Sequence, residues 1–353
     1  MAQNCGSLRY ASETSRADRG VVLTRVAYIG WELEWASEAL RADREVVLTA
    51  VAKDGIALRS ASDTLKNDCD VVRKAVAEFG IALQWASESR KNDRDVVLTA
   101  LAQNGRALQW ASEALKDDRE IVLAAVAKDG TALEDASEAL KDDRDVVLTA
   151  VSQNGRALEY ASTVLFSDRE VVITAVTQDG YALQCVSEEY RADRDIVLAA
   201  VKSDGEALHD ASEVLRADRE VVLAAVAQFG YMLRHVSDAF KADREVVIAA
   251  VTQDSWALAY ASYERRDDME VVRVAVSRDD VALKWASPRI RELLPRIRNL
   301  WDKVRRVVRV RQYVLLWQKD TKVPRCATGG KRHEADGATC EANNTAAKRS
   351  RRV

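Results

Sequence analysis

Residues 43–62 read DREVVLTAVAKDGIALRSAS, and close variants of this stretch return every 25 residues along most of the 353-residue chain. A fixed period of this length indicates a repeat architecture. From Asp18 to Glu292 the sequence divides into eleven such units, and a half unit over residues 1–17 precedes them. Nine glycines keep the spacing without an insertion: Gly30, Gly55, Gly80, Gly105, Gly130, Gly155, Gly180, Gly205 and Gly230.

The first half of each unit predicts an α-helix. In residues 43–68, Asp43 can accept hydrogen bonds from the first free amides, Glu45 suits the positive end of the helix dipole, and Gly55 is expected to end the helix in the left-handed conformation. We place this helix at about residues 44–54. Its apolar residues recur with helical spacing and form one buried stripe of Val46, Val47, Leu48, Ala50 and Val51.

The second half of the unit also has helical spacing but smaller residues. Ser62 has two possible roles: it either hydrogen-bonds back to a carbonyl one turn earlier or caps a short new turn that leads to Asp68. We expect the second helix to be short or broken at this serine. Its buried face is predicted to consist of Ala57, Leu58, Ala61 and Leu65.

A 25-residue pair of helices cannot bury its apolar stripe alone, so successive units must stack on one another. The sequence therefore predicts an all-α fold, an α-solenoid of 25-residue two-helix repeats over residues 1–292 with one continuous core. No linker separates the units, which argues against independent globular domains. Arrays of this kind present extended binding surfaces rather than catalytic pockets.

The two ends of the array differ. Met1 and Ala2 stand where Val51 and Ala52 stand in a complete unit, so the sequence begins in the middle of a long-helix pattern. This predicts that the chain is a fragment or that its start is misassigned. After Pro295 the period stops, and residues 293–318 predict a basic amphipathic capping helix, for which a helix-in-groove target of another protein is the alternative use. Residues 319–353 are predicted to be a disordered basic tail. The apolar stripe of the capping helix comprises Ile297, Trp301, Val304, Val308 and Leu315.

Charge divides the chain into an acidic body and a basic end. Residues 1–288 carry a formal net charge of −15, and residues 289–353 carry +12. Because an acidic body repels phosphate, the array itself is not expected to bind nucleic acid. The basic segment leaves a nucleic-acid-associated or nuclear protein as the alternative function. Within it, KRSRR resembles a nuclear localisation signal, formed by Lys348, Arg349, Arg351 and Arg352.

Motifs for catalysis or metal binding are missing from the sequence. The three histidines form no catalytic pattern, and the spacing of Cys326, His333 and Cys340 matches no structural zinc site. Five cysteines without a CxxC pair, together with the lack of an apolar leader or membrane span, predict an intracellular protein of the cytoplasm or nucleus. We predict no enzymatic activity, no cofactor and no metal.

Asp-Arg pairs begin most units, as in Asp93-Arg94 and Asp193-Arg194. Their recurrence argues against a catalytic pair. A capping aspartate and an arginine that binds an acidic residue of a stacked neighbour explain them, with about 0–1 kcal/mol from each exposed ion pair.

Positions that vary between units are candidates for partner contact, because structural positions must repeat. Two of them hold many aromatic residues, which can anchor a protein partner in a hot spot. The alternative is that these residues are half-buried spacers between units. We predict a non-enzymatic protein-interaction module that binds a protein partner along its acidic, aromatic-dotted surface. The candidate contact residues are Trp31, Trp35, Trp85, Trp110, Tyr160, Tyr181, Tyr231, Trp256 and Tyr260.

The stretches DREVVLTAVAKDGIALRSAS (residues 43–62) and DRDVVLTALAQNGRALQWAS (residues 93–112) resemble the domain-of-unknown-function 4116 repeat family. The resemblance covers Met1 to about Glu292 and is carried by the Asp-Arg start, the QNG or KDG turn and the ALxxAS helix. It weakens in the last two units, where Ser255, Met269 and Asp280 depart from the pattern. The resemblance implies an all-helical repeat fold. It implies no particular activity, substrate or catalytic residue.

Overall fold

The computed structural model describes residues 7–296 and residue 299. The chain divides into two compact parts, Met1–Glu292 and Leu293–Val353. In the second part the structure describes residues 293–296 and 299, which are helical. Most of the predicted capping helix, the predicted tail and the predicted localisation signal lie outside the described residues.

The first part is an all-α repeat array. Among residues 7–296 the regular elements are helices, without a strand, and they repeat with the predicted period. Each complete unit begins with a ten-residue α-helix, continues with a 3-10 helix and ends with a short helix. The prediction of an α-solenoid is therefore confirmed, and the second predicted helix of each unit is divided in two.

The long α-helices span Arg19–Tyr28, Arg44–Lys53, Cys69–Glu78, Arg94–Gln103, Arg119–Lys128, Arg144–Gln153, Arg169–Gln178, Arg194–Ser203, Arg219–Gln228, Arg244–Gln253 and Met269–Arg278. The 3-10 helices span Leu8–Tyr10, Gly30–Trp35, Gly55–Ser60, Gly80–Trp85, Gly105–Trp110, Gly130–Asp135, Gly155–Tyr160, Gly180–Cys185, Gly205–Asp210, Gly230–Arg234, Ser255–Tyr260 and Asp280–Trp285. The short helices span Glu13–Ala17, Glu38–Arg41, Asp63–Lys66, Glu88–Lys91, Glu113–Lys116, Glu138–Lys141, the 3-10 turn Leu165–Ser167, Glu188–Arg191, Glu213–Arg216, Asp238–Ala242 and Tyr263–Arg266.

The long helix begins as its sequence predicts. The side chain of Asp43 accepts hydrogen bonds from the amides of Glu45 and Val46, at 3.0 and 3.1 Å. The predicted stripe is the core, because Val46, Val47, Ala50 and Val51 have no exposed surface, while Leu48 is half-buried. The same four positions are buried in most other units, so the long helices form one continuous core along the array.

The recurrent glycine has a different role from the predicted one. The long helix ends at Lys53, the next residue Asp54 is extended, and no glycine in the described part of the array adopts a positive φ, so the expected left-handed cap at Gly55 is wrong. A Cβ atom at Gly55 would lie 2.4 Å from the carbonyl oxygen of Ala75 in the next unit. Glycine is required here because the backbones of adjacent units approach too closely for a side chain.

The second predicted helix is broken at Ser62, as expected. Asp54 caps its first part by accepting a hydrogen bond from the amide of Ile56 at 3.0 Å, and this part is a 3-10 helix rather than an α-helix. Ser62 then occupies the N-terminal cap position of the short helix Asp63–Lys66. The Oγ of Ser62 pairs with the hydroxyl of Thr64 and makes no hydrogen bond to a helix amide, whereas the equivalent Ser112 accepts one from the amide of Leu115 at 3.4 Å. The position of Ser62 at the start of a new turn agrees with the second of the two roles considered, but the capping bond is made by equivalent serines and not by Ser62.

Backbone hydrogen bonds join the short helices of successive units. The amide of Ser62 donates to the carbonyl of Arg41 in the preceding unit at 2.9 Å, and nine of the eleven equivalent serines from Ser37 to Ser287 make this bond. Within the described array it is missing at Ser187 and Ser237, the two sites where valine replaces the preceding alanine. Among these serines the bond between units is thus present wherever alanine precedes the serine and missing where valine does.

The Asp-Arg pairs connect neighbouring units, as predicted. Arg119 donates to Asp143 and to Asp145 of the next unit, both at 2.8 Å, so one guanidinium binds the capping aspartate and an acidic residue in the first turn of the adjacent long helix. These arginines are about half exposed, and each ion pair contributes only about 0–1 kcal/mol. The nine arginines in this role are Arg19, Arg44, Arg94, Arg119, Arg144, Arg169, Arg194, Arg219 and Arg244.

The first complete unit carries a buried ion pair where all the other complete units but one have two alanines, the exception having Met232 at the second position. Arg25 and Glu32 replace the residues equivalent to Ala50 and Ala57, and their side chains approach to 2.7 Å. Glu32 is 1% exposed and also accepts a hydrogen bond from the amide of Leu8 at 3.1 Å. Burial alone would raise the pKa of Glu32, but these hydrogen bonds outweigh it and hold the pKa below its usual 4.5.

The capping aspartates should make the array sensitive to acid. The preceding unit's arginine holds the pKa of Asp43, Asp143 and Asp168 below the usual 3.8. Each carboxyl binds its proton less tightly in the folded chain than in the unfolded chain, so its contribution to stability is present above about pH 4 and is lost as the pH falls further. We expect a constant melting temperature from pH 8 to pH 5 and a steep fall below pH 4, measured by circular dichroism.

The matched variant for this prediction is Asp143→Asn, which keeps a capping oxygen but does not titrate. It should melt slightly below the wild type at pH 7 and at the same temperature at pH 3. A constant difference between the two proteins at both pH values would contradict the assignment of the acid sensitivity to these caps.

Candidate interaction surface

Two rows of variable side chains run along the 3-10 helices of the array, because successive 3-10 helices pack on one another. We call them the Trp31 row and the Trp35 row. The Trp31 row comprises Trp31, Ile56, Ile81, Arg106, Thr131, Arg156, Tyr181, Glu206, Tyr231, Trp256 and Val281. The Trp35 row comprises Tyr10, Trp35, Ser60, Trp85, Trp110, Asp135, Tyr160, Cys185, Asp210, His235, Tyr260 and Trp285.

The predicted contact residues are exposed to different extents. Trp31, Tyr181, Trp256 and Tyr260 are exposed by 46, 43, 49 and 36%. The others are half-buried, in keeping with the alternative that some members of the rows fill space between units. These half-buried residues are Trp35, Trp85, Trp110, Tyr160 and Tyr231.

Aromatic rings of the two rows already bind cations of this chain. The guanidinium groups of Arg9 and Arg16 lie 5.6 and 5.8 Å from the ring centre of Trp35. Arg156 lies 4.6 Å from Tyr181, and Lys284 lies 4.2 and 4.8 Å from two tryptophans, Trp256 and Trp285. Every cation–π contact within residues 7–296 involves a ring of one of these rows.

Two carboxylates interrupt the Trp35 row. Asp135 and Asp210 occupy positions that hold aromatic rings in other units, and both are half-buried. Burial raises the pKa of each, against the opposing charges of Lys116 and Lys141 near Asp135 and of Arg191 near Asp210. Neither carboxylate makes a hydrogen bond or an ion pair with the part of the chain that the structure describes. Neither carboxylate is among the contact residues predicted from the sequence, which were chosen for their aromatic rings.

A row of lysines on the short helices lies beside the Trp35 row. Their ammonium groups are held by an acidic residue of the same helix, and Lys91–Glu88, Lys116–Glu113 and Lys141–Glu138 each measure 2.9 Å. These lysine side chains are only 18–19% exposed. Their charges are therefore compensated within the chain rather than available to a ligand.

The tenth unit, residues 243–267, forms an aromatic patch. Trp256, Ala259, Tyr260 and Tyr263 stand at four positions that carry at least one charged residue in each of the first nine units. The ring centres of Trp256 and Trp285 are 6.5 Å apart, and Tyr263 is 62% exposed. Sequence reasoning missed Tyr263, although it stands where most units have glutamate or aspartate.

Side chains that could ligate a metal ion do not cluster among the described residues. No three histidine, cysteine or acidic side chains there are placed to hold a metal ion. Burial raises the pKa of the Cys185 thiol, which opposes formation of a nucleophilic thiolate. His209 and His235 meet edge to face at 4.6 Å beside an open groove of about 560 Å³. None of the helices in this region combines the length and the hydropathy that a membrane crossing requires.

A family model described as a domain of unknown function, DUF4116, matches the chain seven times, over residues 18–66, 43–89, 68–116, 118–166, 168–216, 218–266 and 243–291. The chain belongs to the DUF4116 family. Each match covers about two of the 25-residue units, so the family repeat contains two copies of the structural unit. The predicted resemblance is confirmed. No match was found among curated proteins or among solved structures.

Proposed function

We propose that this DUF4116 protein is a non-enzymatic interaction module that binds a protein partner along the Trp31 and Trp35 rows. The long helices, the glycine contacts and the arginine pairs recur in almost every unit and build the scaffold. The two rows vary from unit to unit, as expected of positions that contact a ligand rather than the neighbouring unit.

The observation that carries this proposal is the exposure of large aromatic residues along the rows. Trp31, Tyr181, Trp256 and Tyr260 each leave more than a third of their surface in water, although burial of such side chains is strongly favourable. Rigid aromatic residues on a fixed scaffold are frequent anchors of protein interfaces. The acidic charge of residues 1–288 favours partners with basic surfaces over nucleic acid.

The test is affinity capture with the full chain from cells that express it, followed by mass spectrometry. We expect a set of proteins that the wild type retains and a variant with alanine at Trp31, Tyr181, Trp256 and Tyr260 loses. The matched control carries alanine at four exposed positions of the long helices, Lys53, Glu78, Gln103 and Lys128, and should retain the same set.

Circular dichroism should show that both variants melt close to the wild type, since all the substituted side chains are at least partly exposed. Loss of the captured proteins from both variants alike would contradict a binding role for the two rows, as would capture of the same proteins by all three forms.

A further inference from the structure

We propose that Trp85, Trp110 and Asp135 bind lysine or arginine side chains from an extended, basic segment of the partner protein. This inference rests on the proposed function and specifies the chemistry of the partner. The three residues are consecutive members of the Trp35 row, one from each of three adjacent units.

Other members of the same row show which group covers such a ring. Arg9 and Arg16 cover Trp35, and Lys284 lies over Trp285. Within residues 7–296, no cation lies at cation–π distance from Trp85 or Trp110, and both rings are half-buried with part of their surface in water. Because the units are equivalent in structure, a cation supplied from outside fits the places that this chain leaves uncovered.

The charges around these rings favour a basic ligand. Asp135 follows Trp110 in the row, and its half-buried carboxylate makes no hydrogen bond or ion pair among the described residues. The neighbouring Glu134 and Glu159 are exposed and form no ion pair there either.

The cations nearby are already paired. Lys116 and Lys141 are bound by Glu113 and Glu138, and in the adjacent Trp31 row Arg106 and Arg156 are bound by Asp129 and Asp179 at 3.1 and 2.8 Å. The uncompensated charge at this place is therefore negative. An arginine or lysine that pairs with Asp135 would neutralise a carboxylate that burial has already separated from water.

The arrangement of the sites points to a polypeptide. Trp85, Trp110 and Asp135 lie on three successive units, so a free cation would occupy one of them, whereas one chain with several basic side chains can reach all three.

The repeat spacing predicts the spacing of the basic residues. Packed helices lie about 8–10 Å apart, and equivalent positions of successive units share this separation. A polyproline II segment rises about 3.1 Å per residue and turns once in three residues, so every third side chain lies on one face about 9 Å from the last. We expect the preferred segment to carry arginine or lysine at every third position.

The test is fluorescence anisotropy with the full chain and a labelled peptide of four Arg-Pro-Pro triplets. We expect saturable binding, no binding of the Glu-Pro-Pro counterpart, and weaker binding of a peptide with arginine at every fourth position. The variant Asp135→Asn should weaken binding about fivefold and the double variant Trp85→Leu with Trp110→Leu about tenfold, consistent with exposed cation–π contacts and one ion pair.

The matched control is Glu78→Gln, which removes the same charge from the exposed side of a long helix and should bind like the wild type. Asp135→Asn keeps the shape of the side chain and removes an unpaired carboxylate, so it tests the proposal even if the double tryptophan variant does not fold. Equal binding of the arginine and glutamate peptides, no binding of either, or unchanged affinity of Asp135→Asn would overturn the proposal.

A fluorescein-labelled single-stranded oligouridylate of 12 nucleotides tests nucleic acid as the alternative ligand in the same assay. Stronger binding of this oligonucleotide than of the arginine peptide, with loss on replacement of Trp85 and Trp110, would overturn the proposal in favour of nucleic acid. If the peptide test fails but the variant lacking the four exposed aromatic residues still loses its captured proteins, the proposed function stands and the partner chemistry is wrong.

Discussion

Replacement of Val126 by aspartate should unfold the centre of the array at neutral pH. Val126 lies in the long helix Arg119–Lys128 and has no exposed surface. A carboxylate at this position would be buried without a partner, at a cost of roughly 3–5 kcal/mol. Because burial raises the pKa of such a group, the cost should decrease as the pH falls toward 5.

Hydrogen exchange measures this effect unit by unit. In a repeat array each unit contacts its neighbours, so we expect lost protection in the units next to residue 126 and retained protection near both ends of residues 18–292. The control is Lys128→Ala in the same helix, where the side chain is exposed and the change should stay within about 0.5 kcal/mol. Similar denaturant melts for the two variants would show that the buried stripe is wrongly assigned.

Replacement of Gly130 by alanine should separate two adjacent units. The new Cβ atom would lie 2.3 Å from the carbonyl oxygen of Ala150 in the next unit, a distance that no side chain can occupy. Since the opposing atom belongs to the backbone of a packed helix, the helix must move. We expect a loss of about 3 kcal/mol, at the upper end of overpacking costs, in urea denaturation followed by circular dichroism.

A natural substitution supports this expectation. Where Ser255 replaces the glycine, the hydrogen bond from the amide of Asp279 to the carbonyl of Ala275 measures 3.2 Å, against 2.8–3.0 Å in the other long helices. Where a Cβ atom is present at this position, the last hydrogen bond of the facing long helix is therefore longer than in the other units. At Gly130 the next unit is itself packed on further units, which restricts such an adjustment.

The matched control is Gly20→Ala. Gly20 lies in the long helix Arg19–Tyr28, and a Cβ atom there would meet only the side chain of Asp18, at 3.4 Å. Alanine favours a helix over glycine, so this variant should be more stable by about 0.5–1 kcal/mol. If the substitutions at Gly20 and Gly130 had the same sign, the close contact between units would not be the reason for the recurrent glycine.

In the two proposals the array is a rigid scaffold that binds an extended segment of a partner protein. Its scaffold residues, such as Val126 and Gly130, recur because every unit must fit the next one. The proposed contact residues differ from unit to unit. Arginines of this chain cover the ring of Trp35, whereas no cation of the described residues covers the ring of Trp110, and this is where we expect a partner to place a basic side chain. Loss of binding without loss of stability in Asp135→Asn would separate the two classes of residue.

The sequence by itself determines the features that depend on contacts within a few residues. Asp43 begins a helix because its carboxylate reaches amides two and three positions later, and Val46 to Val51 form a stripe because helical spacing places them on one face. The 25-residue period requires stacking, because one unit is too small to bury that stripe. These local rules predicted the all-α repeat, its caps and its core.

The tertiary structure decides what depends on the neighbouring unit. Gly55 was predicted to end the long helix in the left-handed conformation, but glycine is required there because of the carbonyl of Ala75, which is 20 residues away in sequence. The Asp-Arg pairs suggested ion pairs between stacked units, but only the packing of adjacent long helices shows that Arg119 reaches both Asp143 and Asp145. Exposure of Trp256, partial burial of Trp110 and the unpaired carboxylate of Asp135 likewise follow from how successive units pack, because the residues that cover or leave open each side chain are a full repeat away.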